Sequence, residues 1–592
     1  MPDGAMSGGE RQRISLSVDG VDVEAADPDQ TLLSLLREQL GKTSVKDGCS
    51  PQGQCGCCTV WVDGSPRVSC VTPVRRVAGR AVTTLDGLDP ELLDRWTRAL
   101  VATGGSQCGF CTPGIVLRLA ALASPRGDGM PAEAGSPSVD RARLAARVDQ
   151  SLAAHVCRCT GWQTIRDAAL EVLLDEPIAD VGRDPGRMSE RATLEGRSAQ
   201  RVGPEIAAGR APFADDTAPT GCLVAVPLDP STGDPNVPTG SLEAVDLAGS
   251  SAGAVAYVVA STLAEARRKA GKTQGRNSTA GLRFPVPLPD PHPGDGWAVT
   301  LATTWVEPAY VEPDASWCVP GGEPCSSRAN GGAFGGKTAG AAEAAARELC
   351  ARAGSAVRVV WSREDVVRLG PKRPPVAGAA RADGTGVLRV AAPAAGGWSE
   401  EAWADLVAAV AVVAPGLALE AVPVSGPPLA LSLRAAVWAE AAVLDRCARA
   451  GRPTGAPVTD LPVAVEAPEG GRAVVTARAD GSFDVEVDAG PALDEVVLRS
   501  YAIGAVHQAL GWVRSEGVAV DEAGVVRDLT VRSFGIVPAR AMPEVTVVVS
   551  DRGIGEPVNA SDAVFAAAAA CCWLADGLPP AWPTRSVRLG GT

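Results

Sequence analysis

The sequence predicts an α+β multidomain chain. Three observations carry the prediction: an opening that alternates like a hairpin and then turns helical, two cysteine-rich loops set among helical stretches, and a long second half where strand and helix signals alternate. At 592 residues the chain has length for about four domain-sized units.

Ile14 to Val23 alternates apolar and polar residues around Asp19-Gly20, which reads as a hairpin. Thr31 to Leu40 has helical spacing, and a cysteine-rich loop follows it. Then come a strand at Thr59 to Val62, a turn at Asp63-Gly64 and a second short strand. Together these suggest a ferredoxin-type β-grasp unit over 11–85. Helical patterns over 90–122 and 140–175, separated by the Gly/Pro/Ser-rich stretch Ser124 to Ser138, place a helical domain at 86–175. A linker is expected at 176–195. Beyond it, strand signals such as Ala473 to Ala477 and Val525 to Val531 alternate with helical ones such as Ala339 to Ala353. The expected mixed α/β region divides near 385–400, giving parts at 196–385 and 386–592.

Composition narrows the function. The net charge is −14 with no Lys/Arg-rich run, which argues against nucleic acid or an anionic membrane as partner. The opening MPDGAMSGGERQR lacks the apolar core of a signal peptide. The longest apolar run, Ala563 to Ala575, is shorter than the roughly 20 residues a membrane span needs. A soluble cytoplasmic protein is expected. In a reducing compartment, sixteen cysteines argue for metal sites over disulfides, and nine of them precede residue 160. Isolated ones such as Cys350 and Cys447 read as small buried hydrophobes. With three histidines in all, His155, His292 and His507, a histidine-rich metal centre is disfavoured.

Cys49, Cys55, Cys58 and Cys70 lie in GCSPQGQCGCCTVWVDGSPRVSC. Two irons bridged by sulfide need four convergent thiolates, and a glycine-rich loop can offer backbone N–H groups to the sulfurs. Gly48, Gly53 and Gly56 suit that task. The spacing C-x5-C-x2-C-x11-C has one residue more in its first gap than the plant-type C-x4-C-x2-C pattern. Cys57 is a spare thiol, so the third ligand is Cys57 or Cys58. A zinc knot is the rival reading, and it leaves the preceding β-grasp pattern unexplained.

Cys108 and Cys111 in SQCGFCTPG, with Cys157 and Cys159 in VCRCTGW, form a second set whose spacing alone also suits zinc. The surrounding residues separate the two readings. QCGFCTPG followed by CRCTGW closely resembles the second [2Fe–2S] site of the xanthine dehydrogenase and aldehyde oxidoreductase family of molybdenum hydroxylases. AVTTLDGL at 81–88 resembles that family's link between its two cluster domains. The resemblance, continuous over 11–175, implies a β-grasp domain and a four-helix domain with one cluster each. It implies that Gln107 approaches a molybdopterin, and that electrons pass from molybdenum through both clusters to FAD on a partner subunit.

In the second half, NGGAFGGKT from Asn330 to Thr338 satisfies a P-loop pattern, but loop-like residues precede it where a P-loop needs a buried strand. A glycine-rich turn before a helix is the plain alternative. NGGAFGGK followed by VRVVWSREDVVRLGPKRPP is similar to a region of the family's molybdopterin-binding subunit. That implies an approach of Ala333, Phe334 and Gly335 to the molybdenum ligands. DRGIGEPVNASDAVFAAAA resembles the segment holding the family's catalytic base, which maps to Glu556; the other reading of Glu556 is an ordinary loop carboxylate before a helix. LRAAVWAE is a weak echo of the family's arginine motif, with Arg434 in the arginine's place. The region is shorter than the family's large subunit, and no flavin domain is recognisable. Two functions stay open. One is an electron-transfer component with its own molybdopterin site, acting on a small-molecule substrate such as an aldehyde, a purine, another N-heterocycle or carbon monoxide. The other is a non-catalytic scaffold docking a separate molybdopterin subunit and an FAD subunit.

Overall fold

The computed structural model describes residues 13–123, 140–179, 182–228, 242–246, 254–271, 281–290, 296–325, 332–337 and 340–585. The opening stretch, the Ser124 to Ser138 separator, His292, Asn330, Gly331 and Thr338 lie outside them.

The first unit is a five-stranded sheet. Its strands β1 (Ile14–Val18), β2 (Val21–Ala25), β3 (Thr59–Val62), β4 (Ser65–Val68) and β5 (Ala81–Thr83) are ordered β2-β1-β5-β3-β4. β1 and β5 are parallel and the other neighbours antiparallel. Both predicted hairpins form. Asp19 (φ 51°) and Gly20 (φ 81°), then Asp63 (φ 51°) and Gly64 (φ 78°), take the left-handed pair of conformations that a two-residue turn between twisted strands requires. The helix expected over Thr31 to Leu40 is a short α-turn, Leu32–Ser34, capped by Thr31 and widened into a π-helical turn at Leu35–Gln39.

Four helices follow: α1 (Pro90–Thr103), α2 (Thr112–Ala120), α3 (Arg141–Ser151) and α4 (Gln163–Leu173). Asp89 accepts from the N–H groups of Glu91 and Leu92, Pro90 opens α1, and Gly104 (φ 74°) ends it. Each of the two predicted long helices is therefore a pair. The breaks fall at the cysteine loops, where the chain must turn thiols inward: Gly104 and Gly109 in one, Gly161 and Trp162 in the other, all with positive φ.

The predicted linker at 176–195 holds a helix, Pro185–Gly196, and this part of it is core. Arg191 and Glu195 are fully buried and paired at 3.0 Å. Glu195 also accepts from the N–H of Ser561 at the start of the C-terminal helix.

Among the described residues of the second half, two further five-stranded sheets and one four-stranded sheet form, with helices packed between them. The expected break at 385/386 falls in the turn between Val376–Ala380 and Gly386–Pro393, which pair antiparallel inside one sheet. The strand expected at Val525 to Val531 does not form. That stretch makes a single bridge, Val520 to Val526, and then a 3₁₀ turn, Val531–Phe534. Its backbone is committed elsewhere: Leu529 O accepts from Gln52 Nε2 at 2.8 Å, and Val531 N donates to Gln52 Oε1 at 3.1 Å. Two helices, α5 (Glu495–Arg514) and α6 (Ser561–Ala575), pack against each other as the centre of this half. Among the described residues no helix is long and apolar enough to cross a membrane.

Candidate functional site

Cys49, Cys55, Cys58 and Cys70 come together, all buried. The Cys49 thiol is drawn well below the usual thiol range by hydrogen bonds from Cys55 and Cys70. Cys70 in turn reaches Cys58. The thiol contacts therefore run Cys55–Cys49–Cys70–Cys58. The loop's backbone N–H groups point at sulfur as expected, with Gln52 N 3.2 Å from Cys49 Sγ and further donation from Gln54 and Cys55. Cys57 extends this chain at its Cys55 end. Its thiol touches Cys55 and faces that residue's carbonyl at 3.8 Å.

Cys108, Cys111, Cys157 and Cys159 also converge. Cys159 and Cys108 have sulfurs 3.8 Å apart, and Cys157 contacts both Cys159 and Cys111. The order is Cys108–Cys159–Cys157–Cys111, another open chain of four. Among the described residues, no three His, Cys, Asp or Glu side chains close around a single ion position. Cys108 is half-buried and the other three are buried.

One backbone bond joins the two groups: Val156 N, next to Cys157, donates to Cys55 O at 3.0 Å. The buried ring of His155 packs on Gly56, where a β-carbon would stand 2.4 Å from Cδ2. Burial holds His155 at about 4, so the ring is neutral at physiological pH.

The second half closes over these loops. Gly504 in α5 lies so near Cys159 that a β-carbon there would be 1.8 Å from its carbonyl oxygen. A β-carbon on Gly332 would lie 3.2 Å from Cys159 Sγ. Gln107 is buried, its amide donating to Ser500 Oγ at 2.8 Å and Cys159 O at 3.2 Å.

Ala333, Phe334 and Arg434 line one cavity, with Arg158, Glu307, Arg373, Gln508, Trp512 and Glu516 among the other walls. Gly335 sits behind it, with Ser432 O 1.8 Å from where a β-carbon would be. This half-open cavity leaves about 40 Å³ for water. Arg434 is spent within the protein, donating to Asp562 at 2.9 Å, Ser561 at 2.6 Å and Gln508 at 3.2 Å, and stacking on Phe334 at 4.0 Å. Arg373 grips Glu440 through two 2.8 Å bonds and stacks on Trp512 at 4.1 Å. Arg158 grips Glu516, and Lys372 meets Glu307 at 2.9 Å. Lys337, the lysine of the P-loop-like stretch, is buried against Glu312 at 2.6 Å.

Sites for dinucleotide-sized cofactors are about 300–1,000 Å³ and keep polar groups free for the ligand. These residues do not fit a molybdopterin. Glu556 is likewise not at the cavity: it is exposed on the loop before α6 and is absent from the lining. A glycine-bounded loop places it in solvent, while buried Asp562 takes the position facing Arg434. Sequence reading missed Gly504, Arg158 and Glu516. A glycine inside a long apolar helix and a charge between two buried cysteines were the available signals.

Comparisons with known proteins agree with the thiol geometry. Residues 16–78 match the 2Fe-2S iron-sulfur cluster binding domain, and residues 84–170 the [2Fe-2S] binding domain. The chain thus carries two iron–sulfur domains in tandem. It is 35% identical over 169 residues to the xanthine dehydrogenase iron-sulfur-binding subunit of Escherichia coli O157:H7, a match covering 28% of this chain and 97% of that one. It is 37% identical over 159 residues to the aldehyde oxidoreductase of Megalodesulfovibrio gigas, covering 26% of this chain and 16% of that protein. The solved aldehyde oxidoreductase from Desulfovibrio gigas shares the fold, with a TM-score of 0.68, 15% identity, and coverage of 98% of this chain and 99% of that one. The chain belongs to the molybdenum hydroxylase family of xanthine dehydrogenases and aldehyde oxidoreductases.

Proposed function

We propose that this chain is the iron–sulfur electron-transfer component of a molybdenum hydroxylase, relaying electrons between a molybdopterin-bearing subunit and an FAD-bearing one. The carrying observation is the pair of four-thiol chains bridged by the Val156–Cys55 bond. Four convergent thiols can serve two irons, two thiolates to each. Clusters held by Cys49, Cys55, Cys58 and Cys70, and by Cys108, Cys111, Cys157 and Cys159, would supply reversible one-electron storage.

The chain's own residues do the rest. N–H groups of Gln52, Gln54 and Cys55 stabilise negative charge on sulfur. The Val156–Cys55 bond and the His155–Gly56 contact hold the two loops at a fixed separation. The substrate, an aldehyde, purine, other N-heterocycle or carbon monoxide by family resemblance, would be oxidised on the molybdopterin subunit. A cytoplasmic setting, which keeps the thiols reduced, belongs to this reading.

The test is anaerobic purification with metal analysis and EPR. About four irons per chain and two distinct signals on reduction are expected. Cys108→Ser or Cys159→Ser should remove one signal and leave the other. Zinc in place of iron at the second site refutes the assignment. Co-purification from the native source should bring down an FAD subunit. Rapid reduction of a soluble acceptor by the chain alone, without flavin, refutes that partner.

A further inference from the structure

The family's fold brings an expectation that this chain does not meet. Where Ala333 and Phe334 should approach a metal-bearing pterin, a half-open cavity leaves about 40 Å³ for water, room for one or two molecules. Clefts of about 310 and 220 Å³ exist elsewhere, and neither shares a lining residue with this cavity. The arginines of the wall are also engaged by the protein itself. An anionic cofactor needs donors that are free, or that protein carboxylates release on binding. Here Arg158, Arg373 and Arg434 are each held by a buried carboxylate: Glu516, Glu440 and Asp562 respectively. Two of the guanidinium planes are further covered by aromatic rings, Trp512 at 4.1 Å and Phe334 at 4.0 Å. Releasing Arg158 and Arg373 would leave Glu516 and Glu440 buried without a cation, and releasing Arg434 would leave Asp562 with Arg197 alone, near a ligand that is itself negative and at a large cost in electrostatic free energy.

We propose that this chain has closed its family's molybdopterin position with its own ion pairs, so that it loads iron and no molybdopterin and depends on another chain for the pterin. These pairs then serve as structure: Arg158–Glu516 ties the second cysteine loop to the segment after α5, and Arg434, between Phe334, Gln508 and Asp562, ties the loop 332–337 to α5 and α6. This rests on the electron-transfer reading, and the two can fail separately: iron content reports on that reading, pterin content on this one.

The full chain should be produced in a host competent for both iron–sulfur and molybdopterin assembly, beside a molybdopterin enzyme as positive control. Iron, molybdenum and oxidised-pterin fluorescence are then counted per chain. Iron at the two-cluster level with molybdenum and pterin near zero is expected. Molybdenum and pterin approaching one per chain overturns the proposal. A second measurement uses Arg434→Met and Glu516→Gln. Glu516→Gln leaves Arg158 without its carboxylate, and Arg434→Met removes one of the two cations on buried Asp562, so each should lower the melting temperature by several degrees, with pterin still absent. If Arg434→Met instead leaves the melting temperature unchanged while releasing pterin that the unmodified chain held, the arginine is a cofactor ligand and the site is open.

Discussion

At the scale of single residues, the deciding quantity is what burial does to charge. His507 in α5 is completely buried, its Nε2–H donating to Val537 O at 2.8 Å, and desolvation pulls it down to about 4. A histidine that must stay neutral when folded stabilises the fold above its unfolded value of about 6.5, and that contribution is lost as pH falls through 6.5 toward 4. The difference is worth about 3 kcal/mol at the acid end. Glu312, pushed up to about 7 by burial, acts in the opposite sense, since its protonated form is favoured as pH falls from 7. A comparison with His507→Gln isolates the histidine: glutamine can still donate to Val537 O but does not titrate. Acid unfolding followed by circular dichroism should therefore move to lower pH in the variant. An unchanged midpoint means that His507 does not govern acid stability.

At the scale of elements, helix α5 is the most informative piece. Its sequence, EVVLRSYAIGAVHQALGWVR, has apolar residues on nearly every face, and the structure buries it on nearly every side. It needs Gly504 because the backbone of the second cysteine loop runs directly across it. In Gly504→Ala the added methyl would meet Cys159 O at 1.8 Å, so the helix or the loop must shift. Overpacking of this kind costs about 1–3 kcal/mol. The melting temperature should fall, and the EPR line shape of the second site should change while the first is untouched. Equal change at both sites would mean that the disturbance is global and that α5 does not specifically hold the second loop.

At the scale of the whole molecule, the two halves share a polar seam. Gln52 and Gln54 of the first cysteine loop bond to backbone at Leu529, Val531 and Arg532. Arg363 donates to Gly48 O at 3.2 Å. Arg158 passes between Cys157 and Cys159 to reach Glu516. Cutting the chain after Asp175 removes all of these partners but none of the eight cysteines. Such a piece is expected to assemble both clusters and to lose them several-fold faster to a chelator in air, the second site first, because Gly332 and Gly504 no longer cover it. Visible absorbance against time reads this out. Equal loss rates for the piece and the full chain would show that the second half contributes no protection.

Local patterns in the sequence were enough for the elements whose determinants are local. The Asp-Gly pairs specify the two hairpin turns, because left-handed backbone at two successive positions admits few residues. Asp89-Pro90 and Gly104 delimit the first helix of the helical domain for similar reasons. The two groupings of the eight cysteines were legible too, since each set falls in its own short cysteine-rich stretches, although spacing alone also suits zinc. Tertiary structure decided what depended on distant partners. Cys58 meets Cys70 while Cys57 meets Cys55, contacts that the spacing alone does not give. The helix within the expected linker is core because Arg191 and Glu195 reach residues near 490 and 560. Segment 525–531 gives up strand pairing because Gln52 takes its backbone groups. The cavity beside Phe334 shows the difference most plainly. The sequence carries the family's glycine run, an arginine and a glutamate motif, and nothing local says whether they enclose a cofactor or one another. That depends on which carboxylate each arginine meets in three dimensions, and here Asp562, Glu440 and Glu516 meet all three.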